Sequence, residues 1–338
     1  MRRQLAAINS SVIPIGPEIS GSCSYPSAQF DYLQYFMNRS HHTGQYTPPV
    51  GSYHCGLSAT NVTAEAFFDQ WDDALAGFVP AASEMLADGQ QLVLNEFVNF
   101  VTDWCDCRGV RYPHIVCPGW KAPGDRCPDW QREDTSGGDP DLTQGKGVRI
   151  NRDTWSWNAA AGVFAYAFGT LAERGYLVVG QDQLVAGTWP DNEPAVAMLD
   201  WVTGDPNAKY FVTQLLSSTV GAAVEKALYA CTITSSGSAN SAESETTIGT
   251  SECNTANIYV LPFQFTTAGG SKGALVVNKR GVSVDIVLAD LSGATATVVE
   301  VAPIGFEGGA GFQPPLTRQV SSTGHISLGP FAVAVVLT

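Results

Sequence analysis

The sequence predicts an α/β region followed by an all-β region. Three observations carry this. Through the first two thirds, short β-branched runs alternate with apolar segments at helical spacing. A βαβα rhythm of that kind implies a parallel sheet with helices outside it. From about Glu225 the helical spacing stops, and alternating runs separated by Gly-rich turns suggest an antiparallel β-sandwich. The 338 residues, 44% of them hydrophobic, suffice for about two domains with sizeable cores.

Ser11–Ile15 reads as a strand ending in a Gly16-Pro17 loop. Phe30–Asn38 is apolar at helical spacing through Phe30, Leu33, Phe36 and Met37. Val50–His54 is the next strand. Thr63–Leu86 reads as a long helix with Thr63 at its cap and Phe67, Phe68, Trp71, Leu75 and Phe78 on one face. Gln91–Leu94 is a buried strand ending at Asn95-Glu96. Trp157–Arg174 is an Ala-rich buried helix, stopped by Gly175. Tyr176–Val179 is a strand and Ala208–Thr219 the last helix. The strands expected after that are Ile258–Phe265, Ala274–Asn278, Val282–Ala289, Thr295–Ala302 and Phe331–Leu337. Ser235–Thr250 reads as a Ser/Thr/Gly-rich loop, and Asn278-Lys-Arg-Gly281 as a turn.

Charge narrows the function. Lys+Arg is 18 against Asp+Glu 32, a net charge of −14, which disfavours nucleic-acid binding. No run of about 18 apolar residues exists, so no membrane span is expected. No cofactor and no metal centre is expected either. His41-His42 precedes a Pro-rich loop and reads as solvated.

The eight Cys and the sequons at Asn9, Asn38 and Asn61 look secretory. The start, MRRQLAAINSSVIPIG, has no apolar h-region, so no signal peptide is read and an incomplete N-terminus is expected. Cys105, Cys107, Cys117 and Cys127 lie in an aperiodic insert at 105–152 rich in Pro, Gly and basic residues. Disulfides fit them better than a zinc site, because Cys-x-Cys followed by two wide gaps is not a usual zinc pairing. A Cys231–Cys253 bridge would close the Ser-rich loop, and Cys23 with Cys55 is a second candidate. A bridge over about 20 residues is worth roughly 3 kcal/mol.

The strongest local chemistry is Gln91-Leu-Val-Leu-Asn95-Glu96-Phe. A carboxylate directly after a buried parallel strand stands where α/β barrels build active sites. A glutamate there can attack a sugar's anomeric carbon. Tyr53-His54 ends the preceding strand, where both could bond the nucleophile or the sugar. Gln183, Gly187 and Trp189 follow the next strand, and amides with an indole suit carbohydrate. Each motif alone has a plainer reading as an exposed strand end, a packed tyrosine, a rim histidine or a Gly-rich loop.

The ordered series Gly16-Pro17-Glu18, Tyr53-His54, Leu94-Asn95-Glu96, Gln183 with Gly187 resembles the second half of a clan A glycoside hydrolase barrel. The heparanase and β-glucuronidase family is the most similar pattern. Asp153-Thr154-Trp155, the Ala-rich helix, Leu199-Asp200, Pro206 and Tyr210 continue the series. The resemblance implies a partial (β/α)8 TIM-type barrel, about strands five to eight, followed by the β-sandwich, with domains at 1–222 and 223–338. It implies retaining hydrolysis of a glycan or glycoside with Glu96 as nucleophile. It places Tyr53, His54, Asn95, Gln183, Gly187 and Trp189 at the substrate.

Two departures from the family stand out. Its acid/base lies in an Asn-Glu-Pro after the fourth strand, before everything seen here. Asn192-Glu193-Pro194 comes too late to fill that role. Asp182 stands where the family often has Arg, and it would repel an anionic substrate. The expectation is therefore an N-terminally truncated hydrolase, extracellular or lysosomal when whole, with strand edges that favour self-association. The alternatives are a non-catalytic carbohydrate-binding or interaction protein, and a Cys-rich extracellular structural module.

Overall fold

A computed structural model of the chain describes residues 15–19, 26–41, 49–59, 65–101, 155–182, 184, 198–199, 206–220, 233–236, 246–248, 253–265, 270–300 and 314–338. The elements are β1 (Ile15–Ile19), α1 (Pro26–Met37), β2 (Val50–Ala59), α2 (Glu65–Ala87), β3 (Gln91–Val101), α3 (Trp155–Ala172), β4 (Val178–Gln181) and α4 (Ala208–Leu215). They continue with β5 (Ile233–Ser236), β6 (Thr246–Ile248), β7 (Ile258–Gln264), β8 (Lys272–Asn278), β9 (Val284–Val287), β10 (Thr295–Val299), β11 (Leu316–Gln319), β12 (His325–Leu328) and β13 (Val333–Leu337). The chain divides into two compact units. The first is Met1–Ser58, Asp69–Asn99 and Thr170–Asp182; the second is Ala59–Phe68, Phe100–Gly169 and Gln183–Thr338.

The first unit holds a four-stranded sheet in the order β1-β2-β3-β4. β1 pairs with β2, and β3 with β4, in parallel. The helical spacing of Leu33 and Met37 on α1 puts both in the core. They lie around the Cα of Gly51 on β2 together with Leu92 of β3. On α2, Trp71, Leu75, Phe78, Ala82 and Met85 recur every three or four residues and are all buried. Burying each large apolar side chain stabilises by about 1.5–3 kcal/mol. Trp71 packs edge-on against Phe78 and against Phe97 of β3, with centroids 5.8 and 5.5 Å apart. Its indole N–H donates to the Thr170 hydroxyl at 3.0 Å.

α3 ends as Gly175 requires. Gly175 N–H donates to Ala172 O, Tyr176 N–H reaches back to Leu171 O, and Gly175 sits at φ +81°. That is the left-handed cap only glycine adopts without cost. Gly89, at φ +76°, closes α2 in the same way.

The second unit holds two antiparallel sheets, β11-β10-β13-β8-β7 and β12-β9-β5-β6. Alternate residues of both sheets form one apolar cluster: Ile258 and Val260, Ala274 and Val276, Val284 and Ile286, Ala296 and Val298, Ile326 and Leu328, Ala334 and Val336. The period of two is what a pleated strand with one inward face dictates. Lys279 is almost wholly buried. Its ammonium lies 4.4 Å from the centroid of the Tyr166 ring and donates to Asn254 Oδ1 at 3.0 Å. Asn278 Nδ2 ties Val282 O to Gly329 O, each at 2.8 Å.

Several expectations shift. Gly16 and Pro17 are not a loop; they lie inside β1. The register there advances three residues, Ile15 to Glu18, against two on β2, Val50 to Ser52. The extra residue is a bulge, where a proline without an N–H can sit in a strand. The supposed loop 235–250 takes in the end of β5 and all of β6, which pair with one another. Short β11 and β12 were not expected, because four residues of mixed polarity give little pattern. Val282–Ala289 shrinks to β9 before a 3-10 turn at Ala289–Leu291, and α4 runs into a π-helical turn at Leu216–Val220. The Asn278–Gly281 turn stands, but its lysine is an interior cation rather than a surface one. The 105–152 insert lies outside the described residues.

Candidate functional site

The site forms where β2 and β3 lie side by side. Strand alternation turns Tyr53 towards α2 and leaves His54 on the opposite face. Tyr53 is 3% exposed and packs edge-on against Phe78. On β3, Leu92 and Phe97 both point towards the helices. They are five residues apart, an odd spacing that plain alternation forbids.

The strand pairing resolves this. Val93 faces Val178 and Leu94 faces Val179, but Phe97 faces Gln181. Asn95 and Glu96 together oppose the single residue Gly180, so β3 carries a bulge. A Cβ on Gly180 would lie 2.5 Å from the carbonyl oxygen of Asn95. Only glycine lets β4 approach the bulge this closely.

The bulge puts two consecutive side chains on one histidine. His54 Nδ1 lies 3.2 Å from Glu96 Oε2. On the other side of the ring, Asn95 Nδ2 lies 3.2 Å from His54 Nε2. Next to a carboxylate oxygen, Nδ1 must carry a hydrogen and donate it. Among the described residues Glu96 Oε1 has no hydrogen-bond partner, and the Glu96 side chain is 34% exposed. The arrangement holds a carboxylate by one oxygen and leaves the other open. Beside it, Asp182 N–H donates to Phe97 O at 3.0 Å and joins the ends of β3 and β4.

Behind the site the phenol of Tyr53 donates to the Tyr176 hydroxyl at 3.1 Å. Burial pushes the pKa of Tyr53 well above its ordinary value, and the neighbouring Tyr176 adds to this. Burial raises Tyr176 as well. Tyr53, expected at the substrate, is buried here, packed on Phe78 and bonded to Tyr176. Of the other expected site residues, His54, Asn95 and Glu96 come together. Gln183, Gly187, Trp189 and Glu193 lie outside the described residues. Sequence reasoning missed Gly180, although a glycine inside a strand is the usual signal of a bulge or a close approach.

Cys55 and Cys253 each take part in a disulfide, and neither partner is among the described residues. Cys23, Cys105, Cys107, Cys117, Cys127 and Cys231 lie outside the described residues. His41 stacks on Tyr35 with centroids 4.0 Å apart, and its Nδ1 donates to Tyr35 O at 2.9 Å. Among the described residues no group of three or more His, Cys, Asp or Glu could hold a metal ion. No described helix is long and apolar enough to cross a membrane.

No protein-family model and no curated protein matches the chain. Solved structures do. A GH51 α-L-arabinofuranosidase from Thermotoga petrophila RKU-1 aligns with a TM-score of 0.52 at 12% identity, over 99% of this chain and 60% of that one. A GH51 arabinofuranosidase from Xanthomonas axonopodis pv. citri aligns with a TM-score of 0.51 at 12% identity, over 100% of this chain and 61% of that one. A third arabinofuranosidase structure gives 0.50 at 13% identity, over 99% and 59%. The chain shares its fold with these enzymes. It spans about three fifths of their length.

Proposed function

We propose that this chain carries the nucleophile-bearing part of a retaining β-glycoside hydrolase, similar to the β-glucuronidase and heparanase family, acting on a glycan or glycoside. Glu96 is the nucleophile. The observation that supports the reading best is its carboxylate at the β3 bulge, held through Oε2 by His54 with Oε1 open. The fold shared with arabinofuranosidases gives it context.

In the proposed reaction Glu96 Oε1 attacks the anomeric carbon, the bond to the leaving oxygen breaks, and a glycosyl ester forms on Glu96. Water then cleaves that ester. A second carboxyl group about 5 Å away must protonate the leaving group and activate the water. The reading assigns no residue of this sequence to that role, Glu193 included. Without that group the chain loses the roughly 10²–10⁴-fold that general acid–base catalysis contributes. Gln183, Gly187 and Trp189 remain the proposed sugar edge.

The same reading takes 1–222 as about half of a (β/α)8 barrel and 223–338 as a β-sandwich. It pairs Cys23 with Cys55 and Cys231 with Cys253, and it places the protein in the secretory route.

The test is covalent trapping. A panel of activated 2-deoxy-2-fluoro glycosides is incubated with the protein, and peptide mapping locates any adduct. The expected result is a glycosyl ester on Glu96 from one sugar, absent in Glu96→Gln. With a non-fluorinated aryl glycoside, accumulation of the ester gives a burst of phenol, and azide then displaces the Glu96 carboxylate from the anomeric carbon to give a glycosyl azide; Glu96→Gln lacks both. Sugar binding that Glu96→Gln leaves unchanged, with no adduct from any sugar, would overturn the hydrolase reading in favour of a carbohydrate-binding protein.

A further inference from the structure

Glu96 requires a hydrogen only on Nδ1 of His54. It leaves open whether the ring is a neutral imidazole or an imidazolium, and the difference matters. An imidazolium places a full positive charge against the carboxylate, stabilises its anionic form and makes it a poorer nucleophile. A neutral ring orients the same oxygen without neutralising it.

The other ring nitrogen decides the matter. Nε2 faces the amide nitrogen of Asn95 at 3.2 Å. An amide nitrogen can only donate, so Nε2 must accept and be bare. We propose that Asn95 is a positioning residue. Its amide keeps Nε2 of His54 unprotonated, which fixes the ring as the neutral Nδ1–H form that donates to Glu96.

The β-bulge makes this device. On a regular strand Asn95 and Glu96 would point to opposite faces, and one histidine could not touch both. Gly180, with no Cβ, leaves room for the Asn95 carbonyl at the bulge. Asn95 therefore acts through His54, not on the sugar as the sequence suggested. Its consequence for catalysis rests on the nucleophile reading for Glu96; the proton placement itself does not.

The experiment reads protons, not turnover. Long-range ¹⁵N–¹H spectra of ¹⁵N-histidine-labelled full chain are recorded at neutral pH, with His54 assigned from the signals missing in His54→Asn. The expected pattern is a protonated Nδ1 and a bare Nε2, two well-separated nitrogen signals. In Asn95→Asp the carboxylate can only accept, so the bare-nitrogen signal of His54 disappears while the other histidines stay unchanged. A proton on Nε2 in the wild type, or a bare Nε2 that survives Asn95→Asp, overturns the proposal.

If Asn95→Asp does not fold, Glu96→Leu replaces it. The Asn95 contact then still keeps the Nδ1–H form, whereas a switch to Nε2–H overturns the proposal. Failure of sugar trapping with the proton pattern intact counts against the nucleophile reading only.

Discussion

Tyr53 and His54 are neighbours in sequence with opposite fates. One turns its phenol into the helix layer, and the other turns its imidazole to Glu96. The pair Tyr53–Tyr176 has a consequence in alkali. Both pKa values are raised by burial above the ordinary 10.0. Above pH 10 the unfolded chain gives up these protons while the folded chain keeps them. The stabilisation is complete below pH 10 and is lost as pH rises towards the folded values, at up to about 1.4 kcal/mol per pH unit for each tyrosine. Denaturant melts between pH 9 and 11 should show this fall, and Tyr53→Phe should make it shallower. At pH 7 the same substitution removes one buried hydrogen bond and should lower stability by about 1 kcal/mol. A loss of sugar binding in Tyr53→Phe at unchanged stability would put Tyr53 at the sugar.

Among the elements, the β3 bulge decides most. Gly180→Ala forces a Cβ to within 2.5 Å of a backbone oxygen, which no side-chain rotation relieves. Overpacking of this kind typically costs 1–3 kcal/mol. The expected result is a lower denaturation midpoint, together with altered His54 ring signals, since β3 must shift at Asn95. An equally tight native protein with an unperturbed His54 spectrum would show that β4 has room to move. Gly175→Ala tests the α3 cap separately. Holding alanine at φ +81° costs about 1–2 kcal/mol, and it should do so without touching the His54 signals. The helices needed little from tertiary structure to be legible. Trp71, Leu75 and Phe78 repeat at 3.6-residue spacing, and Gly175 marks a stop. The bulge was illegible, because Asn95-Glu96 read as the end of a strand. Pairing with β4, a contact more than 80 residues away in sequence, carries β3 past Asn95-Glu96 to Phe97.

At the scale of the molecule, the antiparallel unit depends on a single apolar cluster drawn from both of its sheets. Ile286 of β9 is fully buried there. Ile286→Ala should cost about 2–5 kcal/mol, read as a shifted midpoint in denaturant at pH 7. A change under 1 kcal/mol would mean the cluster collapses around the gap. Lys279 shows the limit of reading such a unit from sequence. Asn-Lys-Arg-Gly reads as a turn, and as a turn it stands. Only the folded chain brings Tyr166 beneath the ammonium and Asn254 beside it, which makes burial of that charge tolerable.

The sequence by itself determined the strand–helix rhythm, the change to strands only, the helix stops and the residue types His54, Asn95 and Glu96. These follow from periodicity and local backbone preference, which act over a few residues. The tertiary structure decided what those residues do. It added β5, β6, β11 and β12, buried Tyr53 against Phe78, and set both Asn95 and Glu96 on one histidine. The reason is physical. A bulge is one extra residue counted against a partner strand, and a single strand holds no partner to count against.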